Sequence, residues 1–504
     1  MGFRSLFAKP FASWVVSKQK KWMHFPIQTQ QAVFKEIIAK AASTKFGKDH
    51  GFATIQNHLD FIKQVPIRDY EGLKEYIALI KEGASDVLWP GKPLYFAKTS
   101  GTTSGTKYIP ISKDSISNHI NGARDALLNY VYHTGKSAFL DKKLIFLSGS
   151  PTLEKIAGIH TGRLSGIANH HVPAYLKSNQ LPSFNTNCIE DWEEKLEHII
   201  GETIDEKMSL ISGIPPWVQM YFDKIQAKTG KEIKDVFPDF SLFVYGGVNF
   251  EPYRKKLFDS VGKKIDSIEL FPASEGFFAF QDLPNSEGLL LLLDSGIFYE
   301  FIPVEEYNNP NPTRLTIGEI DLGKNYALII NSNAGLWGYS IGDIVKFVSK
   351  TPYRLVVTGR IKHFISAFGE HVIGEEVEKA MKATLLYHPE VSISEFTVAP
   401  QVTPEEGLPH HEWLIEFSTP PANLPAFERR LDESLCKLNS YYDDLIRGKI
   451  LTTLVVRTLK TGAFQDYMKS QGKLGGQNKV PRLSNDRLLA EGLATPSLPG
   501  GEGK

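Results

Sequence analysis

Short apolar runs separated by helical repeats do most to narrow what this chain can become. Leu144-Ile145-Phe146-Leu147 and Leu242-Phe243-Val244-Tyr245 are two such runs, and helical patterns from Trp192 to Ile204 and from Pro216 to Ala227 lie between them. A strand that is apolar throughout needs both faces covered, so the alternation predicts a largely parallel, helix-covered sheet. From Glu287 to Val348 the pattern changes to successive strands, with turns at Ser295-Gly296, Asn308-Asn309-Pro310-Asn311-Pro312 and Ser332-Asn333. That change predicts a more antiparallel sheet. Upstream, residues 27–82 read as helices that pack: Val33, Ile37 and Ala41, then Leu73, Tyr76, Ile77 and Ile80, fall at helical spacing.

A chain of 504 residues is long enough for more than one core. A boundary is expected near Gly359-Arg360, beyond which a hairpin, a helix (Glu375 to Leu386), strands (Val391 to Ala399, Glu412 to Ser418), a helix (Phe427 to Leu438), a strand (Ile450 to Arg457) and a last helix make a small α+β domain. The fold class expected is therefore α/β: a large multi-sheet N-terminal domain over residues 1–360 with helix-covered sheets, and a smaller α+β domain over 361–494. The Pro- and Gly-rich tail, 495–504, reads as disordered.

Fifty-seven basic residues balance fifty-seven acidic ones, which removes any broad electrostatic case for nucleic acid or acidic lipid as a partner. Cys188 and Cys436 stand alone, without the spacing of a disulfide framework or a structural zinc site. The first residues, MGFRSLFAKPFASWVVSKQKKW, alternate Phe, Trp and Lys, and they suit neither a signal peptide nor a membrane span. Leu6 also breaks the myristoylation pattern. An amphipathic helix docked on the main body is expected, in a cytoplasmic protein read as a monomer, since no coiled-coil pattern occurs.

Five stretches carry chemistry. Thr99-Ser100-Gly101-Thr102-Thr103-Ser104-Gly105-Thr106-Lys107 offers six hydroxyls, two glycines and a lysine, and no large apolar side chain. Glycines let backbone N–H groups turn toward an anion, and hydroxyls and a lysine add donors and charge, which describes a phosphate-gripping loop; an exposed turn is the plainer reading. It is not a Walker A loop, because Thr106 stands where the second glycine belongs and Tyr108 follows the lysine. Downstream, Ser112 reads as the N-cap of a helix whose apolar face is Ile116, Ile120, Ala123, Leu127 and Val131. Strand, loop, helix is the order a phosphate loop requires.

The second stretch, Tyr245-Gly246-Gly247-Val248-Asn249, ends an apolar strand; its glycines suit either a flat ligand or a tight turn. Phe271-Pro272-Ala273-Ser274-Glu275-Gly276 follows another strand, where a carboxylate can hold Mg²⁺ against phosphate oxygens or simply be solvated. Trp337-Gly338-Tyr339-Ser340-Ile341-Gly342-Asp343 ends on an aspartate that caps backbone N–H groups or accepts ribose hydroxyls. Gly475-Gly476-Gln477-Asn478-Lys479-Val480-Pro481-Arg482 puts a lysine in a glycine-rich loop, an ordinary surface arrangement in itself.

In this order, TSGTTSGTK, YGGVNFEPYR, FPASEGF, GEIDLGKNYALIINSNAGLWGYSIGD and GQNKVPR resemble the successive motifs of the auxin-responsive Gretchen Hagen family of acyl-acid amido synthetases, within the adenylate-forming, luciferase-like superfamily. A member of bacterial type is expected. The resemblance runs from about residue 30 to 490 and implies an ATP-dependent ligase that makes an acyl-AMP, releases pyrophosphate, and passes the acyl group to an amine such as an amino acid. It implies ATP and Mg²⁺ as cofactors, and small-molecule acid and amine substrates.

Position by position, it implies that Thr99, Ser100, Thr103 and Lys107 hold the phosphates, that Gly247 and Val248 form the adenine wall, and that Phe271 stacks on the base. Glu275 corresponds to the Mg²⁺-linked glutamate and Asp343 to the ribose-binding aspartate. Arg360 matches the arginine before the interdomain hinge, and Lys479 the mobile lysine of a swinging C-terminal domain. Catalytic roles thus fall to Lys479, Lys107 and Glu275. Phe271 replaces the superfamily's usual Tyr, and Ser340 stands where plant members carry Arg. A thiol acceptor such as coenzyme A, or a nucleotide-binding protein without catalysis, are the alternatives. The acid is unassigned; residues 159–173 with His160, Arg163, His170 and His171, the segment Ile214 to Met220 with Trp217, and Arg124 are candidates for its pocket.

Overall fold

The computed structural model of the chain describes residues 2–100, 106–172, 174–189, 191–247, 250–284, 286–361, 364–365, 372–402, 404, 406–447, 451–472, 480–484 and 487–494. Two compact units emerge. The first joins Met1–Val248 to Ser260–Val357, and the second joins Asn249–Asp259 to Thr358–Lys504.

In the first unit, helices Phe3–His24, Pro26–Ala41, Lys45–Asp49, His58–Gln64 and Tyr70–Lys81 precede a four-stranded sheet. Its order is Thr106–Ile111, Tyr95–Ser100, Ile159–Gly162, Glu154–Ile156. The larger sheet is continuous. Gln180–Leu181, Lys143–Phe146, Met208–Ser212, Leu242–Gly246 and Asp266–Ala273 run parallel, as the apolar runs predict. Beyond them Gly276–Phe280, Leu289–Leu291, Tyr353–Arg360, Tyr339–Lys350, Asn325–Ser332 and Ile297–Pro303 follow in the same sheet. Asp266–Ala273 is the seam, parallel to Leu242–Gly246 on one side and antiparallel to Gly276–Phe280 on the other. The parallel and antiparallel halves read from sequence are thus one sheet, joined at this strand. The contact at the seam is close: a Cβ at Gly246 would sit 2.4 Å from the Leu270 carbonyl oxygen.

Two local expectations change. The strand, loop, helix order does not form at the hydroxyl-rich run, because Tyr95–Ser100 and Thr106–Ile111 pair as an antiparallel hairpin before the helix Ile116–Thr134 begins. Ser112 stands one turn too early to cap that helix; its hydroxyl accepts from the N–H groups of Asp114 and Ser115 instead. The helix also buries a different face. Asn118, His119, Gly122, Ala126 and Leu128 to Val131 are buried, whereas Ala123 is exposed. The cause is packing on two sides, against Gly276–Phe280 and against the N-terminal helix, so buried amides are tolerated where partners exist. Asn129 donates to Gln19 at 2.9 Å, and a Cβ at Gly122 would overlap the Phe277 ring at 2.3 Å.

The second unit is α+β. Ser392–Gln401, His410–Thr419 and Val455–Leu459 form its sheet, the last pair parallel. Gly374–Tyr387, Leu424–Leu438, Ser440–Arg447, Ala463–Ser470 and Leu488–Ala494 are its helices. Phe396, Trp413, Phe427, Leu431 and Val377 fill the core. Segment Asn249–Asp259 supplies Tyr253, whose hydroxyl donates to Glu395 at 2.7 Å and accepts from Arg482 at 2.6 Å.

Candidate active site

Ligands of open α/β sheets lie beyond the carboxyl ends of the parallel strands. Here those ends are Phe146, Ser212, Gly246 and Ala273. Gly247, exposed and at φ +85°, follows one of them in a backbone conformation that favours glycine. Ala273 pairs with Gly276, which leaves Ser274-Glu275 as a two-residue hairpin tip. Asn118 steadies that tip from below: its side chain accepts from the N–H of Phe277 at 2.7 Å and donates to the same residue's carbonyl at 2.9 Å.

Across from the tip, the Tyr339 hydroxyl donates to Glu275 Oε1 at 3.4 Å. Burial, reinforced by the charges of Glu275 and Asp69, pushes the Tyr339 phenol well above its ordinary range, so it remains a protonated donor. The Tyr339 backbone is itself fixed. Gly338 N donates to Asn331 Oδ1 at 2.6 Å, Arg68 N donates to Gly338 O at 2.9 Å, and Ser340 N donates to Arg68 O at 2.8 Å. Gly338 has φ +54°, and a Cβ there would meet the Pro66 carbonyl oxygen at 2.6 Å, so only glycine lets these segments approach. Asp343 follows Gly342, φ +85°, and is buried in the strand Tyr339–Lys350. Ser340 accepts from the Tyr307 hydroxyl at 2.9 Å.

Beneath this turn lies a buried charge cluster. Glu300, fully buried, is held by Arg314 through Nε at 2.9 Å and Nη2 at 2.6 Å, by Asn331 Nδ2 at 2.8 Å and by His58 Nε2 at 2.7 Å. Burial alone would raise its carboxyl; the Arg314 guanidinium and His58 outweigh burial and hold it down to about 2. Asn331 therefore links the cluster to Gly338.

The hydroxyl-rich hairpin approaches from the other side. Thr99 lies opposite Lys107 in its ladder, and Lys107 Nζ stands 5.8 Å from the centre of the Tyr70 ring. Tyr70 accepts from Tyr108 N at 3.0 Å. Asp69, whose side chain caps the helix Tyr70–Lys81, and Tyr70 both act electrostatically on Tyr339. The triplet Arg68-Asp69-Tyr70 thus stands between the lysine of the loop and the Tyr339–Glu275 pair. Sequence reasoning assigned this stretch to packing and missed it. Its only signal was a charged and aromatic triplet directly after Pro66-Ile67, which a helix cap explains equally well.

Other expected residues are placed as follows. Phe271 is buried and packs edge-to-face on Phe278 at 5.1 Å. Arg360 is exposed at the end of Tyr353–Arg360, in the second unit. Thr103, Val248 and Lys479 lie outside the described residues, as do the side chain of Ser100 and the tail 495–504. In the second unit, Arg482 is half-buried and bonded to Glu395, Glu378 and the Phe396 carbonyl. Arg124 pairs with its neighbour Asp125 at 2.7 Å and lies 5.7 Å from the Phe11 ring on the N-terminal helix, the surface arrangement. His171 meets the Tyr95 hydroxyl at 3.0 Å, His170 meets the Pro151 carbonyl at 2.8 Å, and Trp217 is buried against Trp192. Among the described residues no group of three or more His, Cys, Asp or Glu gathers to hold a metal. A single carboxylate such as Glu275 nevertheless suits Mg²⁺, which is commonly held by one or two carboxylates and substrate phosphates.

Comparison with known proteins matches the order of these motifs. The GH3 family N-terminal domain matches residues 15–187, the GH3 family central domain 290–360, and the GH3 family C-terminal domain 375–488. Indole-3-acetic acid-amido synthetase GH3.3 of Arabidopsis thaliana is 22% identical, over 90% of this chain and 88% of its own. Jasmonoyl-L-amino acid synthetase GH3.5 of Oryza sativa subsp. japonica is 27% identical, over 92% and 93%. Among solved structures, the AtGH3.15 acyl acid amido synthetase in complex with 2,4-DB shares the fold with a TM-score of 0.79 at 15% identity, over 96% of each chain. A 2-hydroxyisobutyryl-CoA ligase shares it more distantly, with a TM-score of 0.60 at 12% identity, over 92% of this chain and 91% of that one. Motif order, matched domains and fold agree, and the chain belongs to the GH3 family of acyl-acid amido synthetases.

Proposed function

We propose that this protein activates a small carboxylic acid with ATP and joins it to the amino group of an amino acid, as a cytoplasmic monomer. The observation that carries the reading is the alignment of Lys107, Tyr70, Tyr339 and Glu275 along one side of the first unit. It supports a phosphate-binding lysine and a carboxylate acting on one bound nucleotide.

In the first step a substrate carboxylate oxygen attacks the α-phosphorus, the bond from that phosphorus to the bridging oxygen breaks, and pyrophosphate leaves. Lys107, with Thr99, Ser100 and Thr103, holds the phosphates, Gly247 and Val248 flank the adenine, and Asp343 accepts the ribose hydroxyls. Phe271, buried against Phe278, supports that wall from within the sheet. Glu275, oriented by Tyr339, would hold Mg²⁺, which when bound neutralises charge on the phosphate oxygens. Lys479 offsets the charge that builds on the α-phosphate, and Arg360 stands at the hinge. In the second step an amine nitrogen attacks the acyl carbonyl, the carbon–oxygen bond to AMP breaks, and the nitrogen gives up its proton. Holding both anions in one desolvated site supplies the positioning that water cannot.

Hydroxylamine trapping with a panel of acids tests activation, and a comparison of amino acids with coenzyme A then tests the acceptor. Hydroxamate with amide product supports the proposal. Thioester without amide would replace the acceptor, and no acid-dependent hydroxamate would remove the activity.

A further inference from the structure

The N-terminal helix Phe3–His24 docks on the first unit through one stripe, with Ala8, Ala12, Val15, Gln19 and Trp22 buried. Its outer stripe is also apolar. Leu6 is 61% exposed, Phe7 56%, Trp14 52% and Phe11 37%. Phe11 and Trp14 stack on each other at 5.7 Å rather than turning inward. A helix apolar on both sides is normally covered on both sides. Here the outer stripe stays largely exposed, with Arg124 5.7 Å from the Phe11 ring.

The same stripe runs on into cations. Residues 7, 11, 14, 18 and 21 follow helical spacing, so Lys18 and Lys21 continue the line of Phe7, Phe11 and Trp14, and Lys18 Nζ lies 3.7 Å over the Trp14 ring. In all, the helix carries Arg4, Lys9, Lys18, Lys20 and Lys21 and no acid, in a chain whose charges balance overall. Arg4 reaches Ser178 and Lys20 reaches the Tyr132 hydroxyl. Among the acids near the helix, Glu36 and Asp294 line a cleft with Lys18 and Lys21, Asp125 accepts from Gln19, and Asp141 accepts from the N–H groups of Gly2 and Ser5.

We infer that this outer stripe docks on an anionic membrane surface. Exposed Trp, Phe and Leu beside Lys and Arg suit the boundary between headgroups and acyl chains, where the rings enter and the ammonium groups meet phosphate. A second copy of this chain is the poorer occupant, because helix against helix would set five cations against five. Spanning is a separate matter: among the described residues no helix is long and apolar enough to cross a membrane. The contact is peripheral and reversible.

Co-sedimentation of the full-length protein with vesicles tests this. Mixed phosphatidylcholine and phosphatidylglycerol vesicles should carry the protein down, pure phosphatidylcholine should not, and high salt should release it. Trp14→Ser should weaken partitioning about tenfold or more. The double variant Lys9→Glu with Lys21→Glu should weaken it comparably. All these residues are exposed, so an unchanged thermal midpoint and acid-dependent pyrophosphate exchange would certify folding. The inference is overturned if mixed vesicles leave the wild type in the supernatant, or if neither variant changes binding. A vesicle-independent dimer that Trp14→Ser dissociates in sedimentation velocity would also overturn it, and would assign the stripe to a second copy.

Discussion

Replacing Arg314 by Met should make the first unit respond to acid in the opposite sense from the wild type. Glu300 is fully buried and Arg314 nearly so, and the guanidinium makes two bonds to the carboxylate and one, at 2.5 Å, to the Val65 carbonyl. In the wild type an ordinary glutamate at 4.5 is held to about 2. Such a lowering is equivalent to about 3 kcal/mol of stability, complete above the unfolded value and lost as pH falls from about 4.5 toward about 2. Met fills similar volume without charge, leaving Glu300 to His58 and Asn331. Breaking a buried pair at one partner costs about 3–5 kcal/mol.

The folded carboxyl then lies above its unfolded value, so stability is regained as pH falls through it. Urea unfolding of the first unit at neutral and mildly acidic pH reads both effects. The variant should lose most at neutral pH and recover part of the loss on acidification, where protonation of Glu300 removes the unpaired charge. The double variant Arg314→Met with Glu300→Gln should return to within about 2 kcal/mol of wild type, since an amide needs no counter-charge. A loss under about 1 kcal/mol for the single variant at neutral pH, or a pH slope of unchanged sign, would refute the reasoning.

Further outcomes follow from the site. Lys479→Ala should lower acid-dependent pyrophosphate exchange by about a hundredfold or more while nucleotide still binds, checked by exchange and calorimetry side by side. Asp343→Ala should weaken ATP binding about tenfold, the loss expected when hydrogen bonds to a charged acceptor are removed; unaltered affinity would return Asp343 to a structural role. Tyr339→Phe should leave the fold intact and raise the Mg²⁺ concentration needed for half-maximal exchange several-fold, since only the donor to Glu275 is lost. Gly122→Ala should displace the Phe277 ring and the hairpin tip above it, lowering exchange and thermal stability together.

Much of the fold was legible because periodicity and burial coincide in it. Leu242 to Tyr245 is apolar on both faces and becomes a central parallel strand, and Trp192 to Thr203 buries the positions its spacing marks. Legibility failed where burial is not apolar. Asn118, Asn129, Glu300 and Arg314 are buried because partners distant in sequence satisfy them, and local pattern carries no record of such partners. The phosphate loop was found from its hydroxyls and glycines, but its hairpin setting was not, since the short strand Thr106–Ile111 precedes a much stronger helical signal. The strand expected from Ile450 to Arg457 forms instead at Val455–Leu459, set by its parallel register with Glu412 to Glu416. Arg68-Asp69-Tyr70 gained meaning only from the pairing of Arg68 with Tyr339.

Segment Asn249–Asp259 clusters with residues far downstream, which bears on how the polypeptide can be dissected. Tyr253 is buried and shares hydrogen bonds with Glu395 and Arg482. A fragment starting at Thr358 would expose the apolar ring site and leave both charged partners short of one bond each. No single cleavage therefore yields two intact halves, and a gene split at residue 357 should give a soluble C-terminal piece only when residues 249–259 are supplied with it.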